Sequence, residues 1–441
     1  MNDCSLSNIA AEYGSPSFVF DADELTYRVN LIRELLTAAA STSAGQIGLC
    51  YSIKANPFLI PVIDELVDKF EVCSPGELEI VKHYNIAPDK IIYSGVNKDY
   101  KDIREAIIYG ADIITAESIR HFEIIREIAD SINKKVNVIL RLTSGNQFGM
   151  SIDDIRSILS RLPYQNINID GIHYFAGTQR NNPKPQEKEL NKLKAIIAEI
   201  RKDYGISMKK LEYGPGLPYP YFMNEDSTDT LAPLKRVLPL LSDISEDCEL
   251  TIEMGRFIAS SCGYYLTSIC DIKESEGQKW CILDGGLNHV NYYGQMMGMK
   301  KPIIRHLSRE LLDENSQIDA EDLRLITVES GLVSDSARTV EGDCGLCGGA
   351  SDSNSDASGD CYSYALCGSL CTSNDILVRE YELHEPKVGD MLVFENLGAY
   401  SITEGINLFL SRDMARVIIY SKGVCSLLRD TVSSWKINCS N

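Results

Sequence analysis

Lys54 follows the apolar run Ile47-Gly48-Leu49-Cys50-Tyr51 and stands in the turn Ser52-Ile53-Lys54-Ala55-Asn56-Pro57. That run reads as a buried strand, so the amine is delivered from a strand end into a turn. Partial burial lowers a lysine's pKa, and a neutral amine can form a Schiff base with an aldehyde. The same residues also suit a lysine that snorkels out beside a strand end. Two other segments carry chemistry at predicted strand ends. Gly214-Pro215-Gly216-Leu217-Pro218 lets backbone N–H groups approach a phosphate, although Pro215 has none to give; alone it is also an ordinary turn. Glu253-Met254-Gly255-Arg256 sets a carboxylate and a guanidinium around a glycine, suited to a ring nitrogen and a phosphate or simply to a surface ion pair.

These residues need a scaffold that brings strand ends together. Apolar, often β-branched runs recur at Ile47–Ile53, Phe70–Cys73, Ile91–Ser94, Asp112–Thr115, Val136–Leu142, Ile169–Phe175, Leu211–Gly214 and Leu250–Glu253. Between them lie stretches of helical period, including Ile60–Lys69, Tyr100–Tyr109, Ile119–Ile132, Ile152–Leu162, Gln186–Tyr204 and Ala232–Leu241. Eight such alternations predict an α/β chain with a (β/α)8 TIM barrel over residues 25–262, whose active residues sit at the carboxyl ends of the strands. From 263 to 441 the texture changes to strands and turns, such as Lys279–Leu283, Leu323–Val328 and Met391–Glu395, which predicts a mostly antiparallel β domain. Residues 1–24, with the run Pro16–Phe20, are expected to pair with it. Residues 330–360 are rich in Ser, Gly and Asp and read as a mobile surface insertion.

Composition narrows the function. The 441 residues carry 43 basic and 63 acidic side chains, a net charge of -20 that repels phosphate backbones and anionic membranes, so neither nucleic acid nor a membrane is an expected partner. No signal-peptide pattern opens the chain and no apolar run is long enough to cross a bilayer, which points to the cytoplasm and to free thiols for the 14 cysteines. Cys344 and Cys347 have the spacing of half a zinc site, with Cys361 beyond, but no second pair of good spacing follows and no metal is expected.

In order and spacing, several segments resemble the fold-type III pyridoxal-phosphate decarboxylases, which include the diaminopimelate, ornithine and arginine enzymes and share the alanine-racemase-like fold. The resemblance is carried by the Lys54 turn, Gly171–Gln179, Gly214–Pro218, Glu253–Arg256, Cys371–Asp375 and Glu395–Tyr400, and covers nearly the whole chain. It implies that Lys54 binds pyridoxal 5'-phosphate covalently and that Glu253 keeps the ring nitrogen protonated, which makes the ring a strong electron sink. Alanine racemases are known to face that nitrogen with arginine, so Glu253 favours decarboxylation over racemisation. The resemblance also implies that Gly214, Gly216, Arg256 and Tyr400 hold the phosphate. It makes Cys371, from the partner subunit of a homodimer, the acid that reprotonates the α-carbon. Retention of these residues argues against a non-catalytic regulatory homologue.

Four departures from the family pattern matter. Phe175 stands where a histidine usually stacks on the ring, and Thr178 replaces a serine. Gln147 replaces a lysine that usually pairs across the dimer with the aspartate matched by Asp375, so a hydrogen bond would have to serve. Thr372 stands where enzymes acting on free diamino acids carry Glu or Asp for the distal amine. Together, Thr372, Asp375 and Tyr400 are the expected substrate contacts. A buried ammonium without a counter-charge is strongly disfavoured. The pattern resembles members whose amino-acid unit is already joined to an acyl-carrier protein or to citrate. The expected substrate is therefore conjugated, carrier-bound or acidic at its distal end, with free meso-diaminopimelate or another free amino acid as the alternative. Lys300, Lys301 and Arg305 could meet such an acidic end, or form a solvated face.

Overall fold

The computed structural model describes residues 1–43, 45–295, 297–315 and 361–440. The strand expected at Leu323–Val328, the Cys344–Cys347 pair and the whole 330–360 insertion lie outside them.

The chain enters through a helix (Asp3–Tyr13), the strand β1 (Ser17–Asp21) and a long helix (Ala22–Ser43). Eight strands then close a parallel barrel: β2 (Ile47–Ser52), β3 (Lys69–Val72), β4 (Ile91–Tyr93), β5 (Ile113–Ala116), β6 (Val136–Arg141), β7 (Ile167–Phe175), β8 (Lys210–Gly214) and β9 (Glu249–Met254). The predicted barrel is therefore present. Its strands read as near-continuous apolar runs because helices cover their outer face and side chains fill the interior. Side-chain caps start several of the helices. Ser74, Ser118 and the capping boxes of Asp99 and Ser151 each satisfy backbone N–H groups that the first turn leaves open. The single helix expected over Ile60–Lys69 is instead a four-residue helix, Ile60–Ile63, flanked by 3-10 turns. Pro57 and Pro61 stand in the first turns of these pieces, where a missing N–H is tolerated, so the length is set instead by the short crossover, with β3 already beginning at Lys69.

Beyond the barrel run β10 (Gly263–Ser275), β11 (Gln278–Leu283), β12 (Ile304–Leu307), β13 (Cys361–Cys367), β14 (Ile376–His384), β15 (Met391–Glu395), β16 (Arg416–Ser421) and β17 (Val424–Arg429). They join β1 in one sheet of order β14-β13-β11-β10-β1-β16-β17, with β15 pairing both β10 and β12. Every pairing is antiparallel except β1 with β16 and β11 with β13. One apolar core, from Phe18 through the barrel to Phe394, is continuous across barrel and sheet.

Three hydrogen bonds fix the sheet domain to the Lys54 turn. The Tyr400 N–H donates to Ala55 O (2.7 Å), Asn56 Nδ2 donates to Gly398 O (2.9 Å), and Thr403 Oγ1 donates to Lys54 O (3.2 Å). Tyr400 adopts φ 69°, a left-handed backbone that costs a bulky residue about 1–3 kcal/mol and persists only where its surroundings enforce it.

Candidate active site

Barrel closure decides which side chains meet. β2 lies between β9 and β3, with Cys50 opposite Glu253 and Ser52 opposite Glu71. Lys54, two residues past Ser52, therefore emerges between two carboxylates. Its Nζ lies 2.7 Å from Glu71 Oε2 and 3.6 Å from Glu253 Oε1, with Cys73 Sγ also 3.6 Å away. The side chain is 40% exposed, and that exposure faces a cavity of about 350 Å³. Lys54, Phe175, Thr178, Gly216, Glu253, Arg256 and Tyr400 all line this cavity, joined by Ser52, Tyr293 and Glu404. A cavity of about 370 Å³ lies at the opposite end of the barrel, by the start of β2, and contains none of this cluster.

The electrostatics correct one expectation. Desolvation does push Lys54 down, but the charges of Glu71, Cys73 and Glu253 outweigh it and raise the amine well above the usual lysine range. Burial raises Glu71, with the neighbouring charge of Glu253 adding to the effect. Glu253 moves the other way. Burial opposes its charge, yet Lys54 and a hydrogen bond from His173 hold it well below the usual carboxylate range. Ser52 Oγ donates to Glu253 Oε1 (3.0 Å), and His173 Nε2 lies 3.1 Å from Oε2. An ionised carboxylate only accepts, so the proton of that pair sits on His173 Nε2. Glu212, opposite His173 on β8, is buried with neither carboxyl oxygen hydrogen-bonded, and burial keeps it protonated far above its usual range.

Glu71→Gln removes the nearer carboxylate, so the pH at which Lys54 becomes half-labelled by an acylating reagent in cofactor-free protein should fall by about one to three units. Peptide mass spectrometry across a pH series reads that midpoint. Coincident curves for the two proteins would reject Glu71 as the group that holds the proton on Lys54.

The remaining expected residues divide. Gly216 (φ 61°) packs so closely on Gly177 that a Cβ would come within 1.8 Å of its carbonyl oxygen. Gly214 does not line the cavity. A Cβ there would meet the Phe175 ring at 2.4 Å, so this glycine makes room for Phe175. Arg256 is buried, with no ion-pair partner among the described residues and no hydrogen bond at Nε. Its guanidinium carbon lies 4.4 Å from the Tyr400 ring centroid and 4.9 Å from that of Tyr293.

Within a single chain, Cys371 and Thr372 do not reach this cavity; Cys371 is exposed. The expected role of Asp375 in touching substrate and pairing with Gln147 does not fit its placement. It is buried, and its oxygens accept the backbone N–H groups of Leu287 (2.8 Å) and Leu370 (2.7 Å), bracing its own turn. Arg305 is likewise taken by Glu395 and Asp3. Glu71 and Ser52 were not singled out in the sequence, and His173 stood there only as the retained first histidine of the family motif. The visible signal was polar residues within strands otherwise built of apolar ones.

The family comparison fits this geometry. Residues 29–260 match the pyridoxal binding domain of the pyridoxal-dependent decarboxylases, and residues 335–398 match their C-terminal sheet domain. The chain belongs to the pyridoxal-dependent decarboxylases. Pyridoxal phosphate is the cofactor of this decarboxylase. Relatives include the diaminopimelate decarboxylase of Zymomonas mobilis, 24% identical over 97% of this chain and 93% of that protein. Another is the L-glutamyl-[BtrI acyl-carrier protein] decarboxylase of Niallia circulans, 21% identical over 97% and 94%. The crystal structure of diaminopimelate decarboxylase from Methanocaldococcus jannaschii with L-lysine shares the fold, at TM-score 0.76 and 21% identity over 97% and 92% of the two chains. The cavity suits the cofactor by its own chemistry: an amine for the aldehyde, an ionised carboxylate at its wall, and a buried cation without a counter-charge for the phosphate.

Proposed function

We propose that this decarboxylase removes the α-carboxylate of an amino-acid unit whose distal end is joined to a carrier protein or another conjugate. The observation that carries this reading is Thr372. It offers a hydroxyl beside Cys371 where a free distal ammonium would need a carboxylate, and an unpaired buried charge is strongly disfavoured.

When bound, pyridoxal phosphate would supply an aldehyde for the substrate amine and a ring able to take up an electron pair from the α-carbon. In the proposed roles, Lys54 anchors the cofactor and gives up its Nζ proton to Glu71, 2.7 Å away. Glu253, aimed by Ser52 and His173, presents a fixed negative charge to the ring nitrogen. Phe175 supplies an apolar face and Thr178 a hydroxyl at the wall. Arg256, Gly216 and Tyr400 hold the phosphate. A second copy of the chain completes the site with Cys371 as proton donor and Thr372 beside it, which the exposure of Cys371 in the single chain supports.

A second reading is decarboxylation of free meso-diaminopimelate. Relatives named diaminopimelate decarboxylase recur, and they favour this reading over the first. Glu404 also lines the cavity, is exposed, and accepts one hydrogen bond from Asn291 Nδ2 (3.2 Å), leaving capacity for an ammonium. Carbon dioxide release should separate the two. The expectation is turnover of carrier-bound or conjugated amino acids at least about a hundredfold above meso-diaminopimelate, as for a site that leaves a buried polar group unpaired. Preference for the free diamino acid, lost in Glu404→Gln, would establish the second reading and end the first.

A further inference from the structure

Among the described residues, Arg256 is held without any carboxylate. Its Nη1 donates to Tyr221 Oη (2.9 Å), Tyr221 Oη lies 2.7 Å from Ser260 Oγ, and Ser260 Oγ donates to the Arg256 carbonyl (2.7 Å). The proton directions follow from that circuit. The single Ser260 hydroxyl proton is committed to the Arg256 carbonyl, so Ser260 must accept from the Tyr221 O–H. The Tyr221 oxygen is then free to accept from the guanidinium. Tyr221 is 1% exposed and packs against Tyr219, Phe222 and Tyr292, so its hydroxyl cannot swing elsewhere. A carboxylate in its place would hold Arg256 as well but would neutralise it. A phenol oxygen leaves the whole positive charge for an anion in the cavity, and Arg256 Nε has no partner of its own.

We propose that Tyr221, backed by Ser260, is the positioning residue that aims Arg256 at the cofactor's phosphate. This rests on the reading of Arg256 as the phosphate-binding cation. The test titrates the full-length protein, stripped of cofactor, with pyridoxal phosphate and with pyridoxal, which lacks the phosphate. Tyr221→Phe keeps the ring and its packing but removes the acceptor, so pyridoxal phosphate should bind about tenfold more weakly while pyridoxal is unchanged. Ser260→Ala should shift the same ratio in the same direction by less, and it carries the test if the first variant does not fold. Arg256→Met should abolish the preference for the phosphorylated form. If Arg256→Met leaves that preference intact, the phosphate reading itself fails. If Arg256→Met removes it but Tyr221→Phe and Ser260→Ala do not change it, only the role of Tyr221 is overturned. Equal weakening of both ligands in Tyr221→Phe would mark it as structural and also overturn the proposal.

Discussion

Lys54→Ala is expected to give a folded protein that neither retains pyridoxal phosphate covalently nor releases carbon dioxide above background. Lys54 is the cationic side chain within ion-pair distance of both Glu71 and Glu253, and it lies at the cavity wall between them. Its loss removes the nucleophile and also leaves two carboxylates facing each other without a counter-charge. The second effect should protonate one of them rather than unfold the barrel, because a like-charged pair relaxes by taking up a proton. Loss of turnover by at least about 10³ is expected, in line with removing a nucleophile that acts as one unit with its neighbours. Intact mass after borohydride reduction, together with circular dichroism, reads both parts. A cofactor adduct that persists on another residue, with turnover retained, would remove Lys54 from the mechanism.

Glu253→Gln is expected to separate cofactor capture from chemistry. The amide keeps the shape of the carboxylate, can still accept from His173 Nε2, and can be met by Ser52, so the local packing should survive. What disappears is the negative charge, which Lys54 and His173 hold in its ionised form. Without it the ring is a weaker sink, and turnover should fall by about 10²–10³, the usual effect of deleting one preorganised electrostatic contact. Absorbance of the bound cofactor should remain. Unchanged turnover at saturating cofactor would refute the assignment of Glu253 to the ring nitrogen.

The barrel was readable because parallel strands covered on both faces must be apolar throughout, and eight such runs have few other architectures open to them. One crossover was blurred: the apolar period of Ile60–Lys69 is real, but a short connection into β3 carries it as a four-residue helix and 3-10 turns. The convergence of Lys54, Glu253 and Arg256 followed from placing each at or beyond a strand end, whereas Phe175 and Tyr400 were named by the family resemblance. What sequence order conceals is which strands become neighbours. Glu71 belongs to the site only because β3 lies beside β2, and Tyr221 only because the chain after Gly216 folds back over Arg256. Lys54 carried the opposite lesson. Burial was the visible cue for its amine, while the two carboxylates that reverse its effect come from elsewhere in the chain. Asp375 looks functional in a motif, yet its hydrogen bonds give it to a backbone turn.

The stitching of Tyr400, Gly398 and Thr403 to residues 54–56 has a mechanical corollary. A hinge between the barrel and the sheet would have to break these bonds beside Lys54 and Tyr400, both of which line the cavity. Opening such a hinge would cost these three bonds together, which favours traffic of reactant and product through the existing mouth of the cavity.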